Sequence, residues 1–565
     1  MLVAQRNPAK NRWGNPVSAE LQTPQKYRGL SAKRLTGTHA LLRALIRLDR
    51  LRLPLWVLGI GAMSFYVANA VQAIVSDERE LVQMASIFAD PVGRLMTGPA
   101  FGMDEPNFAR FYAAGYVLFI YLLTALMSIF TVVRHTRAEE QAGRAELLRA
   151  NVLGRHASLT AALLLVMLAN LLAAGLVLAG ALSGGFPLPG SILVAGSGAA
   201  VGFFFAAAAA VAAQLTESSR SASALAGGIL GASYLIRMVG DLGAPGGTAL
   251  SWFSPLGWSQ QTAPYVEDQW WPLILPLLFG GMGLVLAFAL SSRRDLGAGL
   301  LPPRAGSARA PAWLSTALGI SAHTLLGMLR GWGAALILSG ALFGSYAQTM
   351  VETAADLPEQ FRRVFTGESV MLGFLAYISI FLAILVAAAG VSGVRLLRGE
   401  ELSGRAELML SAPLSRTRWL CAHVLVLLTG LSLILILLGL ATATAAAIVL
   451  EEESGARFRD VALASLHQAP AVLAVLGIVV AAFGWAPRLV GVLGWSLIGY
   501  AAFMTNFGRL LELPEILHRF NIFGYLAQYP VEPVEWAPVV LLSGLGVLGI
   551  ILGLTGWRHR QINRN

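Results

Sequence analysis

Long apolar stretches constrain the fold of this chain more than any other feature of its sequence. An α-helix crosses the hydrocarbon core of a bilayer with about 20 mostly apolar residues. Of the 565 residues, 56% are apolar and only 13% are charged, and a water-soluble protein of this size has too little interior for so much apolar surface. The sequence therefore predicts an all-α integral membrane protein with about twelve transmembrane helices. The predicted spans are 53–75, 111–133, 158–182, 191–213, 222–240, 271–291, 332–353, 369–393, 419–442, 467–485, 488–507 and 536–556.

The distribution of charge orients these helices. With the N-terminus placed inside, about three quarters of the Lys and Arg residues fall on inner segments, and about two thirds of the acidic residues fall outside. Cytoplasmic loops carry such an excess of basic residues, so we expect a multi-pass plasma-membrane protein with both termini in the cytoplasm. This bias accounts for the net charge of +10, and no nucleic-acid partner is expected. The polar N-terminus predicts no removable signal peptide.

A charged stretch occurs twice in this apolar chain. Residues 139–155 read EEQAGRAELLRANVLGR, and residues 400–416 read EELSGRAELMLSAPLSR. When Arg134 is aligned with Arg395, half of the positions up to the end of each stretch are identical. The two stretches therefore indicate an internal repeat.

Flanking segments extend the repeat. HALLRALIR at 39–47 resembles HTLLGMLRG at 323–331, and FSPLGW at 253–258 resembles FNIFGY at 520–525. Each half holds six predicted spans, an even number, so both halves enter the membrane in the same direction as parallel repeats.

The repeat sets the predicted domain boundaries. The linker is rich in Pro, Gly and Arg, which indicates an inner-side joint between the halves. The four predicted segments are a polar cytoplasmic N-terminal segment 1–38, a first six-span half 39–291, a cytoplasmic linker 292–312 and a second six-span half 313–565.

Each charged stretch lies in the predicted inner loop between the second and third spans of its half. Its acids, arginines and leucines predict a short amphipathic helix beside the membrane. Gly143 and Gly404 fall at matching positions, where glycine suits a sharp bend. Membrane topology requires Arg or Lys in the loop but no repeated order of residues, whereas a surface that docks two copies of one partner requires that order.

The second stretch, Glu400 to Arg416, resembles the corresponding loop of type 2 ABC exporter permeases. That loop carries paired acids, then Gly, a small residue, Glu-Leu and a Pro-x-Ser-Arg end. The twelve-span layout with FSPLGW and HALLRALIR resembles an actinobacterial branch that exports polyketide antibiotics, tetronasin among them. The first stretch departs at Asn151 and Val152, where the second has Ala412 and Pro413, so we expect two inequivalent docking sites.

The resemblance implies roles for several segments. The stretch would form a coupling helix that contacts the ATPase, the segment before the first span an amphipathic connecting helix, and the loop before the sixth span a pair of outer re-entrant helices. The implied ATPase-coupling residues are Glu139, Glu140, Gly143, Arg144, Glu146, Arg155, Glu400, Glu401, Gly404, Arg405, Glu407 and Arg416. The implied cargo-path residues, aromatics of the second and fifth spans of each half, are Phe111, Tyr116, Phe119, Tyr121, Tyr234, Phe374, Tyr377, Phe381 and Phe503.

The chain is not expected to hydrolyse ATP itself. A P-loop needs Gly-Lys, and the three lysines follow Ala9, Gln25 and Ala32. ATP and Mg²⁺ are therefore expected on two copies of a separate ATPase subunit, with no cofactor, metal or catalytic residue on this chain. The single cysteine, Cys421, excludes an intramolecular disulfide and a multi-cysteine metal site.

Two other functional classes are weighed against an ATP-driven exporter of a hydrophobic or amphipathic compound. A proton-coupled secondary transporter of twelve spans generally needs ionisable groups inside its spans, where each costs about 2.5–3.5 kcal/mol. No Asp, Glu, Lys or Arg lies near a predicted span centre, although Arg237 lies near a span end. A membrane-embedded enzyme would need a cluster of acids or histidines, and the eight histidines are scattered.

Overall fold

The computed structural model describes residues 34–74, 78–145, 153–295, 297–301, 309–348, 370–450, 454–508 and 514–561. These residues form an all-helical structure and include no strand. Eleven helices of the described ranges are long and apolar enough to cross a membrane. The predicted span at 488–507 corresponds to the apolar helix Val490–Asn506, which is shorter than the others. The multi-span, all-α prediction is confirmed, whereas the count of twelve stays a prediction.

The helices of the first half include all six predicted spans. The helix α5 continues without interruption through a π-helical turn, Arg134–Ala138, and a last turn, Glu139–Gln141. The helices are α1 Thr38–Leu48, α2 Arg52–Ile74, α3 Glu78–Ala89, α4 Pro91–Thr97, α5 Phe108–Val133, α6 Ala157–Ser183, α7 Leu188–Leu215, α8 Ser219–Leu242, α9 Pro255–Gln260 and α10 Ile274–Arg293.

The helices of the second half follow a similar order. The helices are α11 Ala317–Ser345, α12 Val370–Leu402, α13 Arg405–Leu410, α14 Arg416–Val449, α15 Ser454–His467, α16 Ala469–Trp485, α17 Val490–Phe507, α18 Glu515–His518 and α19 Trp536–His559. Polar side chains cap several of the long helices at their N-termini: Asn107 caps α5, and Ser415 caps α14.

The first and second halves differ in the segment before their first span. In the first half this segment is a separate helix, α1, which ends at Leu48, and α2 begins at Arg52. Pro54 lies in the first turn of α2, where its missing N–H costs no helical hydrogen bond, whereas inside one continuous helix it would. The corresponding segment of the second half contains no proline and continues into the span as one helix, α11. A separate connecting helix, as the resemblance implies, therefore exists only in the first half.

Each half buries its own hydrophobic core. One large cluster of buried residues extends from Val57 to Ala287, another from Leu325 to Trp557, and no described residue belongs to both. Apolar burial therefore stabilises each half separately.

Glycines let the last span of the second half pack closely against α16. A Cβ atom added at Gly477 would overlap the backbone of Gly546, and one at Gly484 would overlap Gly553. Backbone contact of this kind is typical of helix pairs in membranes. The hydrophobic effect does not drive helices together in lipid, and small residues let their backbones pack closely instead. The contact fixes α19, whose C-terminal end reaches the second charged stretch.

Candidate coupling site

The paired acids of both charged stretches end the second-span helix of their half. Glu139 and Glu140 lie on the continuation of α5, and Glu400 and Glu401 lie in the last turn of α12. The predicted short helix therefore starts later than expected: in the second stretch it is α13, which begins only at Arg405. The paired glutamates remain part of the second-span helix because the chain turns only at the glycine that follows them.

Gly143 and Gly404 make the same turn. Their φ angles are 73° and 75°, a left-handed conformation that costs any other residue about 1–2 kcal/mol. The sharp bend predicted at both positions is observed.

An ion pair bridges each of these turns. Nε of Arg144 lies 2.6 Å from Oε2 of Glu139, and Nε of Arg405 lies 2.8 Å from Oε2 of Glu400. In both pairs a second guanidinium nitrogen contacts the other carboxylate oxygen, so the geometry is bidentate. The hydrogen bond to Glu400 raises the pKa of Arg405, which stays charged. The arginine side chains remain 60% and 58% exposed, so they present positive charge to the aqueous side.

The second acid of each pair lies between two arginines, fully buried in the second half and largely buried in the first. In the second half, the side chain of Glu401 has no exposed surface and lies 2.6 Å from Nη1 of Arg398, one turn earlier on α12. Arg560, directly after α19, places Nη1 2.7 Å from Oε1 and Nη2 3.1 Å from Oε2 of the same carboxylate. We call this arrangement of three charged residues the clasp of the second half.

The first half has a clasp of the same kind. Glu140 lies 2.7 Å from Nη1 of Arg137, also one turn earlier on its helix. Arg294, directly after α10, contacts both carboxylate oxygens of Glu140 at 2.6 and 2.7 Å. In each half, therefore, a largely buried Arg–Glu–Arg set joins the end of the second span to the end of the last span.

The last arginine of each stretch reinforces this connection. Arg155 donates to the backbone carbonyl oxygen of Arg294 at 3.3 Å, and Arg416 donates to that of Arg560 at 2.7 Å. The indole of Trp557 in turn donates to the carbonyl oxygen of Arg416. Both ends of each stretch are thus fixed to the end of the last span.

Two further coupling candidates complete the set. Glu407 lies in the first turn of α13, where a carboxylate stabilises the positive end of the helix. Glu146 lies outside the described residues. The sequence did not indicate Arg294, Arg398 and Arg560 as site residues, although the spacing R-x-x-E before each turn is visible in it.

The residues just before the first stretch have contacts that their counterparts in the second half cannot form. Asp49, just after α1, is buried against Nε2 of His135 at 2.5 Å and Nε of Arg134 at 3.3 Å. At the corresponding positions the second half has Gly333 and Leu396. The connecting helix α1 is therefore held by charge to the π-helical turn that follows α5, a contact whose Asp and His the second half lacks.

The predicted path aromatics lie in three kinds of environment. Three are fully buried in the core of one half: Phe111, Tyr121 and Phe374. Four are partly buried and pack against those cores: Tyr116, Tyr234, Tyr377 and Phe381. Two lie outside both clusters: Phe119, which is half-buried, and Phe503, which is 46% exposed. Their role in a cargo path stays a prediction.

Tyr377 differs from the other path candidates because it lines an open space. A cavity of about 400 Å³ lies on the predicted outer side of the second half, between α12, α17 and the segment 518–532. The cavity beside Tyr121 in the first half measures only about 20 Å³.

Charged residues also join the predicted outer segments of the first half. Arg237, at the end of α8, is fully buried, pairs with Asp241 at 3.2 Å and donates to the carbonyl oxygen of Leu95 at the end of α4. Ser251 donates to the other oxygen of Asp241 at 2.6 Å. Ser251 belongs to a 3-10 turn, Ala249–Phe253, that precedes α9, so the loop before the last span of this half contains short helical segments.

Comparison with known proteins identifies the family of this chain. Residues 314–558 match the family model described as the C-terminal domain of the multidrug efflux system permease Rv1217c. Over 532 residues the chain is 34% identical to the multidrug efflux system permease protein Rv1217c of Mycobacterium tuberculosis, an alignment that covers 93% of this chain and 95% of that protein. The chain belongs to the Rv1217c family of multidrug efflux system permeases.

Proposed function

We propose that this chain is the membrane-spanning subunit of an ATP-binding cassette exporter in the plasma membrane. Its two parallel six-span halves place both termini in the cytoplasm, and each half presents one charged stretch, 139–155 or 400–416, to one copy of a separate ATPase subunit. That subunit binds ATP and Mg²⁺. The relative's description as a multidrug efflux system permease supports outward transport of drug-like compounds.

The recurrence of the clasp carries this proposal. Both stretches keep an exposed arginine on a glycine turn, and both bury the neighbouring acid against the end of the last span. When a partner moves against such a turn, the clasp transmits the displacement to two spans, the second and the last of that half. Charge-assisted, bidentate pairs suit this transmission because they fix the orientation of both groups as well as their distance.

The apolar interior suits a hydrophobic or amphipathic cargo. Many of the spans contribute aromatic rings, and aromatic and apolar side chains predominate in the sites that bind drug-sized ligands. When ATPase closure pushes on both turns, the halves rock against each other and cargo is released outward. The separate cores of the halves support such a movement.

The test uses the permease co-expressed with a candidate ATP-binding cassette subunit and reconstituted in proteoliposomes. Glu139→Ala combined with Glu400→Ala should leave membrane insertion intact and abolish drug-stimulated ATP hydrolysis. Unchanged stimulation in this double variant contradicts the coupling role. Transport by the isolated chain that needs a proton gradient and no ATP overturns the proposal in favour of a secondary transporter.

A further inference from the structure

The cavity lined by Tyr377 has a mixed wall. Ile380, Met504 and Leu526 give it an apolar part, and Thr505 and Asn521 give it hydroxyl and amide groups. With a volume of about 400 Å³ it falls in the size range of small-molecule sites. The space can therefore hold the head of an amphiphile with part of its apolar body.

Glu532 places a carboxylate in this wall without a cationic partner. Its Oε2 accepts the backbone N–H of Gln528 at 2.8 Å, and no ion pair joins it to any basic side chain in the part of the chain that the structure describes. The other titratable groups of the wall are the imidazole of His518 and the phenol of Tyr377. A half-buried carboxylate beside apolar groups is poorly solvated, which favours a cation that brings its own charge.

Two aromatic rings lie in the same wall. Tyr377 is fixed by the hydrogen bond from its hydroxyl to Oδ1 of Asn506 at 2.6 Å, and Phe523 is buried. Aromatic faces attract cations, with a contribution of about 0.5–2 kcal/mol that grows as water is excluded. A carboxylate and two rings around one space are a combination that recognises organic cations.

The first half has no such carboxylate at the matching position. In the register that aligns FSPLGW with FNIFGY, Glu532 corresponds to Tyr265. The hydroxyl of Tyr265 lies 3.0 Å from that of Ser191, and its ring packs 5.9 Å from the ring of Phe186. A tyrosine hydroxyl is neutral at physiological pH, and burial raises the pKa of Tyr265 further, to about 12, so the first half presents a phenol where the second presents a carboxylate.

We propose that the cavity bounded by Tyr377, Phe523 and Glu532 binds the cationic group of an amphiphilic organic cation on the outer side of the second half. An inorganic ion is a poor fit, because the described residues contain no cluster of three metal-ligating side chains. This proposal rests on the proposed export function and specifies a class of cargo that leaves through the second half.

The test is equilibrium binding of tetraphenylphosphonium to the purified full-length permease in lipid nanodiscs. Glu532→Gln should weaken binding at least tenfold, and Tyr377→Leu should weaken it several-fold. Glu535→Gln is the matched control, because Glu535 is an exposed acid of the same segment that does not line the cavity, and it should bind as the wild type does. The thermal midpoint of each variant shows whether it is folded.

The outcomes separate this proposal from the export function. Equal binding by Glu532→Gln and the wild type overturns the cation site, as does a wild-type permease that binds no tetraphenylphosphonium. In either case ATP-driven export of a neutral drug leaves the proposed function intact. Loss of ATP-driven export for every compound would instead contradict the proposed function itself.

Discussion

Arg560 contacts both carboxylate oxygens of Glu401, at 2.7 and 3.1 Å, and so ties the last span to the end of the second. Arg294 and Glu140 make the same bidentate contact in the first half. In both halves the glutamate that directly precedes the clasp glutamate pairs instead with the exposed arginine of the glycine turn. Adjacent glutamates therefore have different tasks: one joins spans inside the protein, and the other holds a charged surface.

This division predicts a large difference in stability between two neighbouring substitutions. Glu401→Ala leaves Arg398 and Arg560, whose side chains are only 12% and 14% exposed, without their counter-charge, and breaking a buried pair costs about 3–5 kcal/mol. Glu400→Ala leaves Arg405, which is 58% exposed and can be solvated, so its cost should stay near or below about 1 kcal/mol. Thermal unfolding of the two variants in nanodiscs measures the difference. Equal shifts would show that Glu401 is not held as the clasp requires.

A second prediction concerns the glycine turn. Gly404→Ala forces a Cβ into a left-handed conformation and should cost about 1–2 kcal/mol. Gly399→Ala is the matched control, because Gly399 is helical with no atom within 4 Å of an added Cβ, and alanine there should be neutral or stabilising by up to about 1 kcal/mol. The thermal midpoints of both variants decide the matter. A Gly404→Ala variant as stable as the control would mean that the turn does not need its left-handed residue.

The sequence was informative where a local pattern had a local physical cause. Apolar length predicted the helices, because a spanning segment must satisfy its backbone internally. The matched positions of Gly143 and Gly404 predicted the bends, and both adopt positive φ. A separate helix before the first span forms in the half where Pro54 opens that span, since proline is tolerated in a first turn and disfavoured inside a continuous helix.

The clasp was not predictable in the same way. Its two partners, Glu401 and Arg560, are far apart in the sequence, and only the packing of α19 against α16 brings the end of the chain to the end of α12. An arginine after the last span also has a simpler explanation at the sequence level, since topology alone favours basic residues there. The same limit applies to Glu532. In the sequence it is one of many acidic residues on the predicted outer side, and only the structure shows that it lines a cavity.

A charge exchange separates the structural role of the turn pair from its role in docking. Glu400→Arg with Arg405→Glu keeps an opposite-charge pair across the turn, so the thermal midpoint should stay within a few degrees of the wild-type value. The exposed position then carries a negative charge where the partner is expected to meet a positive one. We expect drug-stimulated ATP hydrolysis in the reconstituted complex to fall at least tenfold, because opposed charges at an interface govern partner choice.

The control is the same kind of charge exchange at a different ion pair, on the side of the membrane where the ATPase is not expected. Arg519 and Glu515 form a solvent-exposed pair in the predicted outer loop, and exchanging them should leave ATP hydrolysis unchanged. Full activity in the Glu400–Arg405 exchange would show that the turn needs its ion pair but that the ATPase does not recognise the sign of the exposed charge.

The last prediction tests the orientation of the chain in the membrane. Cys421 is the only cysteine, so a Cys421→Ser background carries no thiol and allows single cysteines to be labelled. Ser403, exposed in the coupling turn, is predicted on the cytoplasmic side, and Glu105, with a side chain 84% exposed, on the outer side. In right-side-out vesicles a membrane-impermeant maleimide should label Glu105→Cys at once and Ser403→Cys only after permeabilisation. The reverse pattern would place the charged stretches outside the cell, where no ATPase could reach them, and would contradict both the topology and the coupling role.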